Sequence, residues 1–332
     1  MGRLLALVTN PIHDAGYAKL AQDCEVVRFD RLADKDEQEA ALARADLLII
    51  RSFPLSADVI ARCKRLRSVG KHGAGVDNVD IAALTQAGVP LANTPGASNA
   101  TAVSEGALML MLAVLRKTIA MDRIVREHEF DKRFAYRGGD LWEHTVGIVG
   151  LGNIGTHVAR ICGKGFNMRV LAYDPYLSDE AIAARGALKV DMATLLRESD
   201  VVTIHTPLTK ETQHFIGRDQ FALMKPGAIL INTSRGPTVD PQALYEALAS
   251  KQIAGAGIDV FDPEPPKAGS PLLELDNVVL SPHTAGLTEE STRQMALRTV
   301  EVAMKMLAGE KVPTLLNPAV WDRRRQAEAL AH

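Results

Sequence analysis

Short apolar runs alternate with amphipathic stretches along almost the whole chain. Leu4–Val8, Val26–Phe29, Leu47–Ile50 and Ser68–His72 have the length and content of strands, and helical patterns such as Glu37–Arg44 and Ala57–Cys63 lie between them. A second series follows in Thr145–Val149, Arg169–Tyr173, Val201–His205, Ala228–Asn232, Ala254–Asp259 and Val278–Ser281. Strands alternating with helices build βαβ units and therefore parallel sheets. Runs that are apolar throughout, rather than at every second position, suit strands covered on both faces.

Two long helical patterns divide the series, one from Thr101 to about His128 and one from Thr288 to Leu307. Each begins where a series of strands ends. This predicts one domain inserted into another: residues 1–98 completed by 288–332, and a central domain over 99–287. The charged tail, Trp321 to His332, is expected as a helix or a frayed end.

Charge and cysteine content narrow the class. The 332 residues include 38 Lys and Arg against 40 Asp and Glu, a formal net charge of −2, which gives no reason to expect nucleic acid or an anionic membrane as partner. Cys24, Cys63 and Cys162 are odd in number and far apart, so neither a disulfide framework nor a metal site is expected. The apolar stretch Ala107–Leu115 is too short to span a bilayer. The start, MGRLLALVTNP, reads as a first strand and lacks the pattern of a signal peptide. The expectation is a soluble cytoplasmic protein without metal.

The strongest local motif is Gly150-Leu151-Gly152-Asn153-Ile154-Gly155, placed between the apolar run Val146–Val149 and a helical pattern that opens at Ile154. In a phosphate-binding turn the first glycine permits the tight turn, the second lets the backbone approach a pyrophosphate, and the third lets helix and strand pack closely. The helix N-terminus then offers free N–H groups to the phosphates. Asp174 follows the strand Arg169–Tyr173, 19 residues after the last glycine, where a carboxylate accepts from ribose hydroxyls and repels a 2′-phosphate. The cofactor this implies is NAD.

Three later strand ends carry chemistry to the same edge: Arg235 after Ala228–Ile231, Glu264 after Ala254–Ile258, and His283 after Val278–Leu280. Taken singly, each has an ordinary reading as a solvated charge, a turn residue or a structural histidine. Taken jointly beside a nucleotide loop, they form a catalytic constellation.

The stretches GLGNIG, AYDP, HTPLTKET, INTSRG, GIDVFDPEP and SPHTAG, with KHGAGVDNVD in the first domain, resemble in content and order the D-isomer-specific 2-hydroxyacid dehydrogenase family. The resemblance covers nearly the whole chain. It implies an α/β fold of two doubly wound parallel sheets, with a Rossmann NAD-binding domain inserted into a flavodoxin-like substrate domain. It also implies a homodimer. The activity implied is NAD-dependent interconversion of a small D-2-hydroxy acid and its 2-oxo acid. On this resemblance His283 is the acid/base, Glu264 its carboxylate partner, and Arg235 the residue that holds the substrate carboxylate and polarises the 2-oxo group. Histidine is the usual choice for proton transfer near neutrality, and a planar guanidinium suits forked contacts to a carboxylate. By the same resemblance His205 and Pro207 flank the adenine side of the cofactor, Thr212 makes a ribose-side contact, Asp259 receives the nicotinamide carboxamide with Thr233 and Ser234 close by, and Ala74 and Gly75 offer N–H groups to the substrate.

Phosphoglycerate-type relatives often carry Arg-Ser-Arg-Thr where this chain has Arg51-Ser52-Phe53-Pro54. Phe53 in place of the second arginine weighs against 3-phosphoglycerate, although Arg51 or Lys71 is placed to substitute. The chain also stops soon after the returning helix, which leads us to expect no C-terminal regulatory domain. Glyoxylate, hydroxypyruvate or a related short 2-oxo acid is the expected substrate, with 3-phosphoglycerate as the alternative. Glu264 argues against formate oxidation, where the family pairs the histidine with glutamine. Phosphite oxidation and a non-catalytic NAD-sensing scaffold keep the same residues and stay open.

Overall fold

The structure, a computed structural model, describes residues 3–94 and 99–325. The chain divides into two compact units, Met1–Asn99 with Thr288–His332, and Ala100–Leu287. Of the charged tail, Trp321–Arg323 ends a 3-10 turn that begins at Pro318, and residues 326–332 lie outside the described residues.

The first unit holds β1 (Leu4–Val8), β2 (Cys24–Arg28), β3 (Leu47–Ile50), β4 (Ser68–Lys71) and β5 (Leu91–Asn93). They pair in the order β2-β1-β3-β4-β5, all parallel. This is the doubly wound order of flavodoxin-like sheets. Both faces are covered. Leu7, Leu48, Ile50 and Val69 pack towards the helices Lys35–Arg44, Ala57–Arg62 and Ile81–Gln86. Ala6, Val8, Leu47 and Ile49 pack towards Val300, Ala303 and Leu307 of the helix Glu289–Leu307, which returns from the far end of the chain. That helix starts at Thr288, whose Oγ1 accepts the amide of Ser291 at 3.1 Å, with Glu289 and Glu290 in the first turn where the helix dipole favours them.

The second unit holds β6 (Thr145–Val149), β7 (Arg169–Tyr173), β8 (Leu188–Lys189), β9 (Val201–Ile204), β10 (Ile229–Asn232), β11 (Gly255–Ile258) and β12 (Val278–Leu280). All are parallel, in the order β12-β11-β10-β9-β6-β7-β8. The order reverses between β6 and β9, and open α/β sheets bind ligands above such a switch point, at the carboxyl ends of the strands. Alternate strand residues enter two apolar layers. Val202, Ile204, Leu230 and Ile258 join Leu195, Phe221 and Leu244 on one face, and Val146, Ile148, Val170 and Ile231 join Leu110, Met111, Val158 and Cys162 on the other. Each such side chain removed from water contributes about 1.5–3 kcal/mol before the entropy of ordering is set against it.

Three elements differ from the sequence reading. The segment expected as one helix from Thr101 to about His128 is two, Ala100–Leu115 and Thr118–Arg126, broken at Lys117, whose φ of 52° is left-handed. A residue in that region ends the i→i−4 ladder. The cause is a change in burial: the first helix packs a broad face that includes Leu110 and Met111 into the core, whereas the second buries only Ile124, and one straight axis does not serve both. The short strands β5 and β8 were not expected. Among the described residues no helix is long and apolar enough to cross a membrane.

Candidate active site

The glycine loop lies in the second unit, between β6 and the helix Asn153–Gly165, and each glycine has a distinct reason. Gly150 has φ of 89°, and a Cβ there would meet Thr206 Cγ2 at 2.8 Å and the His205 backbone at 3.0 Å. A Cβ on Gly155 would meet the Gly150 carbonyl oxygen at 2.2 Å, so the helix lies against the turn only because position 155 is bare. A Cβ on Gly152, by contrast, would meet nothing within 4 Å. Neither φ nor packing inside the protein demands glycine at 152, and the bare backbone there is open to close approach from outside. Asn153 and Ile154 form the first turn of the helix, whose N-terminus has no side-chain cap and offers amides without partners inside the helix.

Asp174 is tied to the same loop. Its Oδ2 accepts the Leu151 amide at 3.0 Å and its Oδ1 accepts the Tyr176 amide at 3.1 Å. Each carboxylate oxygen keeps a lone pair for a ribose hydroxyl. At the neighbouring strand end, Thr203 Oγ1 and His205 Nε2 lie 2.9 Å apart. His205 Nδ1, Thr206 Oγ1 and Thr233 Oγ1 are buried without a hydrogen-bond partner among the described residues. Buried polar atoms without partners are costly, and three of them beside a bare glycine turn fit a polar ligand laid across these strand ends. Burial pushes the His205 imidazole down to about 3, so it is neutral at physiological pH. Pro207 and Thr212 close the following loop: Thr212 Oγ1 donates to the Pro207 carbonyl at 2.7 Å and accepts the Thr209 amide at 2.7 Å.

Arg235, Glu264 and His283 stand at the ends of β10, β11 and β12. His283 Nδ1 and Glu264 Oε1 are 2.7 Å apart, and Glu264 Oε2 accepts the Phe261 amide at 3.3 Å. His283 has φ of 55°, an uncommon left-handed backbone for a non-glycine residue. Asp259, almost fully buried, holds it there. Asp259 Oδ1 accepts Ser281 Oγ at 2.5 Å and the Thr284 amide at 2.8 Å, and Oδ2 accepts the Ala285 amide at 3.0 Å. The His283 amide donates to the Asp259 carbonyl at 2.7 Å. Both oxygens of Asp259 are therefore engaged by the turn that carries His283. The helix Ala100–Leu115 supports this turn from behind, since a Cβ on Gly106 would meet Ala285 Cβ at 2.8 Å.

The arginine turn is organised by Asn232, which sequence reading passed over. Asn232 Oδ1 accepts the Ser234 amide at 3.0 Å and Ser234 Oγ at 2.8 Å, while its Nδ2 donates to the Arg235 carbonyl at 3.1 Å. Gly236 then brings the Arg235 turn against the Glu264 turn: a Cβ at 236 would lie 1.8 Å from the Phe261 carbonyl oxygen. No lone signal marks Asn232, because an asparagine at a strand end is common and its partners are fixed only by the fold.

Ala74 and Gly75 lie in the first unit, after β4. Asn93 Nδ2 donates to the Ala74 carbonyl at 2.8 Å, and Gly73, with φ of 102°, opens the turn. In the loop after β3, Asn10 Oδ1 accepts the amides of Arg51, Ser52 and Phe53 at 3.3, 3.1 and 3.0 Å. Asn78 Nδ2 donates to the Phe53 carbonyl at 2.6 Å, and Lys71 Nζ to the Arg51 carbonyl at 2.6 Å. Phe53 packs edge-on against Phe29, centroids 5.2 Å apart, and so joins the apolar layer of its unit. Among the described residues no cluster of three or more His, Cys, Asp or Glu could hold a metal ion.

The family model described as D-isomer specific 2-hydroxyacid dehydrogenase, NAD binding domain, matches residues 108–285. D-3-phosphoglycerate dehydrogenase of Archaeoglobus fulgidus is 39% identical over 312 residues, covering 94% of this chain and 59% of that protein. The chain thus spans about three-fifths of the length of that relative. Glyoxylate reductase of Korarchaeum cryptofilum is 38% identical over 319 residues, covering 94% of this chain and 96% of the reductase. Among solved structures, the TT0316 protein of Thermus thermophilus superposes with a TM-score of 0.84 at 33% identity, covering 94% of this chain and all of that one (100%).

Proposed function

The chain belongs to the D-isomer-specific 2-hydroxyacid dehydrogenase family, its second unit carrying the family's NAD-binding domain, and from that premise we propose that it interconverts a short D-2-hydroxy acid and its 2-oxo acid. The observation that carries this reading is the 2.7 Å Glu264–His283 pair, held by Asp259 at the same strand edge as the glycine loop. NAD held at this edge would supply the hydride acceptor or donor for substrate C2. Gly150, Gly152, Asn153, Ile154, Gly155 and Asp174 are proposed to hold its phosphates and ribose, with His205, Pro207, Thr212, Thr233 and Ser234 along the same edge. Asp259 is left with no oxygen free of the His283 turn, so positioning that turn is its first role, and any contact with the nicotinamide carboxamide uses a remaining lone pair.

Glu264 bonds Nδ1 of His283 and so fixes the imidazole tautomer, which leaves Nε2 for the substrate. In oxidation Nε2 takes the hydroxyl proton; in reduction it returns a proton to the 2-oxo oxygen. Arg235 binds the carboxylate and stabilises negative charge on the reacting oxygen. The first unit is proposed to select the substrate, with Ala74 and Gly75 offering N–H groups.

A short unphosphorylated acid such as glyoxylate or hydroxypyruvate is favoured because Phe53 lies against Phe29 and offers no charge from that position. One observation favours the phosphorylated alternative, 3-phosphoglycerate: the Arg51 guanidinium is half-buried with no hydrogen-bond or ion-pair partner among the described residues, and burial lowers its pKa. The test is consumption of NADH with a panel of 2-oxo acids. Turnover of glyoxylate or hydroxypyruvate well above that of phosphohydroxypyruvate supports the first reading, and the reverse order the second. NADH binding with no turnover on any member would overturn the dehydrogenase reading and favour a cofactor-sensing scaffold.

We also propose a homodimer. Ile119, Val125, Phe130, Phe134 and Trp142, all more than half exposed, fall within one stretch of the second unit, and large exposed apolar side chains grouped together mark contact surfaces. A monomeric mass by light scattering would refute this. The three free, buried cysteines suit a reducing compartment, and a cytoplasmic location is proposed on that ground.

A further inference from the structure

The corner of the glycine loop that holds Asp174 also holds a cation. Leu151 is bonded on both sides: its amide donates to Asp174 Oδ2 at 3.0 Å, and its carbonyl accepts from Arg185 Nη1. Arg185 reaches the loop from the C-terminal end of the helix Asp179–Ala184 and is half-buried. Its Nε and Nη2 have no hydrogen-bond partner among the described residues, and no ion pair joins it to Asp174 or to another carboxylate there. The loop does not depend on it alone, because Thr156 Oγ1 also donates to the Leu151 carbonyl, at 3.3 Å.

A carboxylate alone at the ribose corner excludes a 2′-phosphate, whereas an arginine nearby accommodates one. Here a single residue of the phosphate loop is bonded to both. Arg185 keeps donors that the protein itself does not use, and a guanidinium fork matches phosphate oxygens in pairs. We propose that Arg185 makes this site accept the 2′-phosphorylated nicotinamide cofactor as well as NADH, as the specificity-determining residue that offsets the repulsion from Asp174. The proposal rests on the cofactor assignment above and concerns binding, not turnover.

The experiment is calorimetric titration of the full chain with NADH and, separately, with NADPH, for the wild type, Arg185→Met and Arg185→Lys. In the wild type the two dissociation constants are expected to lie within about tenfold of each other. Loss of a charge-assisted contact is worth about tenfold to a hundredfold. Arg185→Met is therefore expected to weaken NADPH by at least about tenfold more than NADH, with Arg185→Lys in between. Equal weakening of both cofactors in Arg185→Met would show that Arg185 only braces the loop, and would overturn the proposal. So would wild-type protein that binds NADH but not NADPH. Failure of the wild type to bind NADH would instead overturn the cofactor assignment itself, and the proposal with it.

Discussion

Gly236→Ala puts one methyl group where the Arg235 turn rests on the Glu264 turn. The new Cβ would lie 1.8 Å from the Phe261 carbonyl oxygen, 2.1 Å from its carbon and 2.8 Å from its Cα. All three atoms are backbone, so no side chain can rotate away. Ordinary contact begins at 3.4 Å, so the turns must part by about 1.6 Å. Overpacking of this kind costs about 1–3 kcal/mol of stability. The kinetic effect is expected to be larger in proportion: displacement of reacting groups by about 1 Å costs about 100-fold in rate, and here the displaced turns carry Arg235 on one side and Glu264, hence His283, on the other. The glycine loop is untouched. The expected result is kcat/KM with the best 2-oxo acid lowered about 100-fold, the melting temperature lowered by several degrees, and the Kd for NADH within a few-fold of wild type. A variant with kcat/KM within about threefold of wild type would refute the claim that close approach of these two turns sets the site.

Three other outcomes follow from the same geometry. Gly152→Ala, whose Cβ meets nothing in the protein, is expected to leave thermal stability within about 0.5 kcal/mol while raising the NADH Kd about tenfold or more by calorimetry; unchanged affinity would remove the pyrophosphate from this turn. Asp259→Asn sets an amide donor either against the Ser281 hydroxyl and the Thr284 amide or against the Ala285 amide, and is expected to cost about 2 kcal/mol in denaturant unfolding together with turnover; wild-type kcat would show that the His283 turn does not need it. His72, buried and beside Arg51 and Lys71, is pushed from 6.5 down to about 3, by burial first and by those charges second. The unfolded chain therefore binds the extra proton between those values, so stability is complete above about pH 6.5 and falls as the pH drops towards 3. The denaturant midpoint is expected to drop between about pH 7.5 and about pH 5, and less so in His72→Asn; an equal drop in both proteins would discharge His72 from the effect.

The sheets were legible because both faces of each are covered, which makes the strands continuous apolar runs bounded by turns. Leu91–Asn93 and Leu188–Lys189 escaped because two or three residues show no period, and they are strands only through the neighbours that pair with them. The break at Lys117 left no glycine or proline to announce it. At the site, Gly150, Gly155 and Asp174 were legible from spacing. The turns that present the chemistry were not. Asn10 and Asp259 act by gathering amides from residues fixed in place by other strands, so their partners exist only in the fold, while Asn232 gathers its own turn, which nothing in its residue type announces. Gly236 looks like any turn glycine until Phe261 lies against it.

Proton transfer by His283 is probed by replacing it with asparagine, which tolerates the left-handed backbone at this position. With the best 2-oxo acid of the panel, kcat of His283→Asn is expected to fall by about 10²- to 10⁴-fold, the usual worth of a general acid, while the Kd for NADH stays within a few-fold. Turnover near the wild-type rate, with NADH bound as before, would contradict it.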